Sequence, residues 1–231
     1  MSETLYRTAL LAPDLVSPAA AAFDGERFYT VNGLEPFVYV YARDGAFLNK
    51  CRTVRPYRTA RYDAQTRTFC CLASGCGRTV YFTDERFAET GCARIGNAPH
   101  GDGGYIADAF TGENGDIINV VRPKALEVYS PGGDYLLTSA RAGEGAEYLL
   151  WAQDESGRAL YFEQNGVRFI ETADETRVME NCVKLRSFVP YGNAILGAFT
   201  DNYLYTYVAP LFDTRRAAAG YAQPRRECGN V

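Results

Sequence analysis

The residues with most chemical capacity in this 231-residue chain are seven cysteines, one histidine and an arginine-rich stretch. Cys70, Cys71 and Cys76 sit together, while Cys51, Cys92, Cys182 and Cys228 are scattered. Adjacent strand residues point to opposite faces, so Cys70 and Cys71 cannot both serve one metal. Structural zinc draws on four convergent ligands, and no C-x-x-C pair is present to supply half of them. Cys51, Cys92 and Cys182 fall seven or eight residues after the second turn of their units, too far apart for disulfides. The expectation is packing thiols and no metal site.

His100 stands in Asn97-Ala98-Pro99-His100-Gly101-Asp102-Gly103-Gly104-Tyr105. A lone histidine with an aspartate two residues on suits a general base or a single metal ligand. The glycines around it suit a surface loop, which is the favoured reading. Arg52, Arg55, Arg58, Arg61 and Arg67 interleave with Tyr57 and Tyr62, a pattern that can hold nucleic acid or phosphate. The net charge of -4 and the ratio of 21 Arg to 3 Lys argue instead for arginines solvated or paired with carboxylates. No Gly-x-Ser-x-Gly, phosphate loop or dinucleotide fingerprint occurs. Gly112 and Gly115 read as part of a hairpin turn, and the single Trp151 as core.

The elements that must position these residues follow from composition and spacing. With 47 % apolar and 23 % charged residues the chain is globular, neither disordered nor disulfide-dense. No run of about 18 apolar residues is available to span a membrane. Met1 to Arg7 lacks a signal-peptide pattern. With an odd cysteine count, a cytoplasmic location is expected, or secretion with a leader removed.

Turn signals recur. First turns fall at Asp24-Gly25, Asp63-Ala64, Glu113-Asn114-Gly115, Asp154-Glu155 and Gly192-Asn193, at steps of 39, 50, 41 and 38 residues. Second turns follow at Asp44-Gly45, Asp84-Glu85, Gly132-Gly133, Asp174-Glu175 and Asp213-Thr214, at offsets of 20, 21, 19, 20 and 21. Asp-Gly and Asn-Gly suit the positive φ of tight hairpins. Between turns lie strand-forming runs such as Phe37-Val38-Tyr39-Val40-Tyr41 and Tyr203 to Val208. Each unit reads as four short strands.

Units of about 40 residues with four strands apiece resemble the β-propeller class. The expected fold is all-β: a five-bladed β-propeller of four-stranded antiparallel blades in one domain. Thr4 to Pro13 resembles the fourth strand of a unit and is expected to complete the last blade, closing the ring. Residues 215–231 are then a non-repeating tail. The rival assignment uses Arg215 to Tyr221 as that strand. No Trp-Asp dipeptide and no kelch glycine pair assigns a particular family.

In a propeller, the connection from each outer strand to the next inner strand ends at the channel mouth. These connections are placed at Asp14 to Pro18, Arg55 to Arg58, His100 to Tyr105, Glu144 to Tyr148 and Arg186 to Pro190. They bring together Asp14, Arg58, His100, Asp102, Glu144, Glu147 and Arg186 as a candidate ligand site. A binding module for a protein or small-molecule ligand is favoured, with neither nucleic acid nor membrane as partner and no cofactor expected. The alternatives are a hydrolase or lactonase-like enzyme using Asp102, Glu144 and His100, with a divalent cation, and a carbohydrate-binding module.

Overall fold

Aspartate-led hairpin turns and aromatic, β-branched runs fold into antiparallel meanders. The computed structural model describes side chains over residues 18–75, 77–97, 105–112, 115–122 and 125–138, and elsewhere the backbone of strands alone. The first sheet comprises β2 (Ala20–Phe23), β3 (Phe28–Val31), β4 (Phe37–Tyr41) and β5 (Phe47–Arg52). The second comprises β6 (Tyr57–Asp63), β7 (Thr68–Ala73), β8 (Thr79–Thr83) and β9 (Glu89–Arg94). The third holds β10 (Asp108–Thr111), β11 (Ile118–Arg122), β12 (Ala125–Tyr129) and β13 (Tyr135–Arg141). A fourth is built of β14 (Tyr148–Gln153), β15 (Ala159–Glu163), β16 (Arg168–Glu171) and β17 (Thr176–Met179). The last meander is β18 (Leu185–Tyr191), β19 (Ala194–Phe199) and β20 (Tyr203–Val208), and β1 (Thr4–Ala9) pairs antiparallel with β20.

The turn signals sit where the meanders need them. The first-turn signals at 24 and 63 fall between the first and second strands of their sheets, and the second-turn signals at 44, 84 and 132 between the third and fourth; those at 113–114, 154–155, 174–175 and 192–193 lie outside the described residues. The aspartates explain the geometry. Asp24 Oδ1 accepts from the Glu26 and Arg27 amides at 2.8 and 2.7 Å, and Asp63 Oδ1 from the Gln65 and Thr66 amides at 2.9 and 3.3 Å. Such side-chain bonds to the following backbone pre-form the turn.

The first three sheets bury their faces against each other. Ala22, Tyr29, Val31, Val38 and Val40 of the first sheet pack with Tyr57, Ala60, Phe69, Cys71 and Tyr81 of the second. Phe69 stacks on Phe87 at 4.4 Å between ring centroids and meets Tyr29 edge-on at 4.9 Å. On the other side of the second sheet, Cys70, Leu72 and Val80 pack with Ile106, Ala109, Ile118, Val120 and Tyr129. Cys70 and Cys71 thus occupy different cores, as the alternation of a strand requires. Cys51 is half-buried against the first core, but Cys92 is exposed, which corrects its expected packing role. It lies on β9, the last strand of its sheet in hydrogen-bonding order, where one side has no neighbouring strand.

Two sheet-to-sheet connections differ from expectation. Arg58 lies inside β6 and Arg186 inside β18, so the connections there are 53–56 and 180–184. Both arginines are second in their strand, at a register shift between Tyr57 and Thr59 and between Leu185 and Ser187. A bulge adds a residue that ordinary alternation does not count.

Candidate functional site

Backbone bonds tie the end of the molecule carrying Arg58 into one surface. The Thr53 amide donates to the Pro36 carbonyl at 2.8 Å, and the Ser74 amide to the Pro56 carbonyl at 3.0 Å. The Ser74 hydroxyl donates to the Gly33 carbonyl. Gly33 holds φ at +76°, and a Cβ there would stand 3.1 Å from Ser74 Oγ and 3.3 Å from Arg58 Cβ, so the turn needs glycine for both reasons. The turn 32–36, the connection 53–56 and the start of β6 therefore form a continuous patch.

Arg58 extends that patch to the third sheet. Its guanidinium donates to the Ile106 and Ala107 carbonyls and to Tyr105 Oη, and lies 4.8 Å from the centroid of the Tyr105 ring. The side chain is held by backbone acceptors of the segment leading into β10. Its charge fixes that segment and holds the Tyr105 ring in place while 62 % of Tyr105 stays exposed.

Two apolar side chains stand out on the segments around this anchor. Leu34 is 76 % exposed at the tip of its turn, and Val54 is 71 % exposed in the connection between the first two sheets. Leu34, Val54 and Tyr105 are three of the large apolar side chains that are mostly exposed among the described residues; Leu48 and Leu136 lie on β5 and β13 instead. Glu35, beside Leu34, receives hydrogen bonds from Asn32 and from Tyr39 Oη at 3.3 and 3.1 Å.

Several other charged groups are engaged in holding the fold. Arg55 donates to both Glu89 oxygens at 2.6 and 2.9 Å and stacks 4.1 Å over Tyr81, while Tyr57 Oη donates to Glu89 at 2.8 Å. Burial works to raise the Glu89 pKa, but the bonds from Arg55 and Tyr57 outweigh it and hold the carboxyl below its usual range. Arg67 pairs with Glu85 at 2.8 Å, and buried Arg122 with buried Glu127 at 2.9 Å. Tyr129 Oη donates to Glu127 at 2.6 Å; burial, then that bond, pushes its phenol up to about 12. Asp63 Oδ2 accepts from Thr111 at 2.7 Å, and Asp24 Oδ2 from Tyr29 at 2.5 Å. Burial drives the Cys70 and Cys71 thiols well above the ordinary thiol range.

Four of the five arginines of the rich stretch have partners: Arg55, Arg61 and Arg67 pair with carboxylates, and Arg58 binds backbone. Among the described residues no group of three or more His, Cys, Asp or Glu could hold a metal, and no helix is long and apolar enough to cross a membrane. Of the sequence-derived site residues, Arg58 is described with its side chain and Arg186 as backbone of β18. Asp14, His100, Asp102, Glu144 and Glu147 lie outside the described residues, as do Cys76 and the tail 215–231. Leu34 and Val54 were not singled out by sequence. Their available signal was an apolar residue at a turn or connection whose neighbours are Gly33, Glu35, Thr53 and Arg55.

No family model matches the chain, and no curated protein matches it. Among solved structures, the crystal structure of the WD40 β-propeller domain of Doa1 aligns with a TM-score of 0.51 and 10 % identity, over 87 % of this chain and 95 % of that one. Kuenenia stuttgartiensis hydrazine synthase aligns with a TM-score of 0.44 and 14 % identity, over 82 % of this chain and 57 % of that one. At such identity a likeness concerns the fold alone. The fold is all-β, built of four-stranded antiparallel sheets, and it is a β-propeller.

Proposed function

We propose that the chain is a single five-bladed propeller, closed by β1, that serves as a protein-interaction module. The closed ring is supported by the pairing of β1 with β20 and by β18 lying against β2. The interaction reading rests on one observation. Leu34, Val54 and the Arg58-held Tyr105 expose their apolar surface on segments bonded into one face, whereas Asp24, Asp63, Glu89, Asp108 and Glu127 are committed to structural partners. Apolar and aromatic side chains presented on a rigid support are what protein interfaces use as anchors.

On this reading Asp14, His100, Asp102, Glu144, Glu147 and Arg186 belong to or adjoin the same set of sheet-to-sheet connections and form a polar rim around the apolar contact. The occupant is a protein surface offering an apolar patch with mixed charge at its edge.

The test compares Leu34→Glu/Val54→Glu with Leu48→Glu, a control on the outer strand β5. In vivo cross-linking with mass spectrometry is run on each, beside melting curves. The proposal expects all variants to melt alike and a specific partner cross-linked to residues 34, 54 and 105 to vanish only in the face variant. Equal cross-linking by face and control variants overturns it.

A further inference from the structure

The fourth strand of the last sheet is held differently from its counterparts. Turns of backbone 42–46, 84–88 and 130–134 bind β5, β9 and β13 to the strand before them, each closed by its own pair of hydrogen bonds. β1 has no such turn. It meets β20 through a ladder, Thr4 opposite Val208 to Ala9 opposite Tyr203, and its partner lies about 200 residues away in sequence. Removing β1 would break no hairpin and would bare one edge of β20, a row of unpaired backbone groups that accepts another strand.

Residues 10–19 join β1 to β2. Ten residues span up to about 33 Å when extended, enough for β1 to leave its own sheet while β2 stays in place. A strand that opens without unfolding its neighbours belongs to the least stable part of a fold. Exchange of an identical element between copies then conserves every ladder bond.

We propose that the edge of β20 is an acceptor for a β-strand in trans, and that its partner is the β1 strand of a second copy of this chain. This rests on the proposed ring, in which β1 completes the last sheet. The two copies donate reciprocally, so the swapped pair is a closed dimer and not a growing filament.

The experiment uses full-length chains throughout. One copy carries Thr8→Cys and the other Leu204→Cys, a facing pair; Arg7→Cys with Tyr205→Cys is the adjacent pair, and one of the two is the close, non-hydrogen-bonded kind. After mixing and mild oxidation, peptide mapping reads disulfides at those positions. The proposal expects an inter-chain disulfide whose yield rises severalfold with protein concentration. A chain carrying both substitutions serves as the check on the ring. If it forms its internal disulfide while mixed copies form none at any concentration, exchange is overturned and closure stands. If neither register pair forms even the internal bond, closure fails and exchange with it. Dimers linked only through other cysteines count against exchange.

Discussion

Across the seam between β6 and β10, Arg61 Nε lies 2.7 Å from Asp108 Oδ2, with the two side chains only 10 % and 15 % exposed. Forty-seven residues separate them in sequence. Together with the Asp63–Thr111 bond and the Arg58 contacts to residues 105–107, this pair lays a line of polar contacts where β6 meets the third sheet, beside the apolar core of Cys70, Leu72, Ile106 and Ala109. The junction between β2 and β6, by contrast, is lined by Ala20, Ala22, Tyr57 and Ala60.

Breaking that pair from one side should be costly. Asp108→Ala leaves a buried guanidinium without its counter-charge, and urea unfolding should show a loss of about 3 kcal/mol. The double variant Arg61→Met/Asp108→Leu should recover most of it. If Asp108→Ala costs less than about 1 kcal/mol, the pair is solvent-compensated and does not specify the junction.

Glu89 predicts an acid-side pH dependence. Its folded pKa is lowered by Arg55 and Tyr57, so its stabilising contribution is complete above the glutamate pKa of the unfolded chain and fades as pH falls through the folded value. Chemical denaturation of wild type and Glu89→Gln should differ by a constant amount near neutrality. The difference should shrink below about pH 4. A gap that does not change with pH would remove the carboxylate from the account.

Tyr129 gives the opposite sign at high pH. With its folded value raised to about 12, its contribution is intact below the unfolded tyrosine value and is lost as pH rises through the folded one. Tyr129→Phe should cost about 1 kcal/mol at neutrality, because Glu127 loses a donor. The variant should also lose less stability than wild type between about pH 10 and 12, as read by circular dichroism during urea titration.

Much of this architecture was legible because turns are chemically marked. Asp24, Asp44, Asp63 and Asp84 each bond the backbone that follows, a local interaction a sequence can advertise. The opposite orientation of Cys70 and Cys71 was likewise a matter of strand alternation. Arg58 and Arg186 were assigned to connections because the bulges that admit them into β6 and β18 depend on pairing with β7 and β19. The Arg61–Asp108 pair and the apolar face lay beyond reading, since both arise where separate units meet.

Thiol accessibility separates those cysteines. A disulfide-exchange reagent at neutral pH should modify exposed Cys92 in the folded protein, while Cys70 and Cys71 should react only after denaturant is added. Fast native modification of Cys71 would contradict its burial in the first core.

Two glycines with left-handed backbone should respond unequally to alanine. Gly25, at φ +105°, has open space where a Cβ would stand, so Gly25→Ala should cost about 1 kcal/mol of backbone strain. Gly133, at φ +94°, would drive a Cβ into the Arg94 carbonyl of the neighbouring sheet. Gly133→Ala should lower the melting temperature by several times the shift seen for Gly25→Ala, and equal shifts would mean the Arg94 backbone yields freely.

Strand β7 is a wall shared by two rooms: Phe69, Cys71 and Ala73 furnish one, Cys70 and Leu72 the other. A single residue inserted midway through it would hand every later side chain to the wrong room, spoiling both at once. Such a strand can drift in composition but hardly in length, whereas the segments between sheets are free to grow.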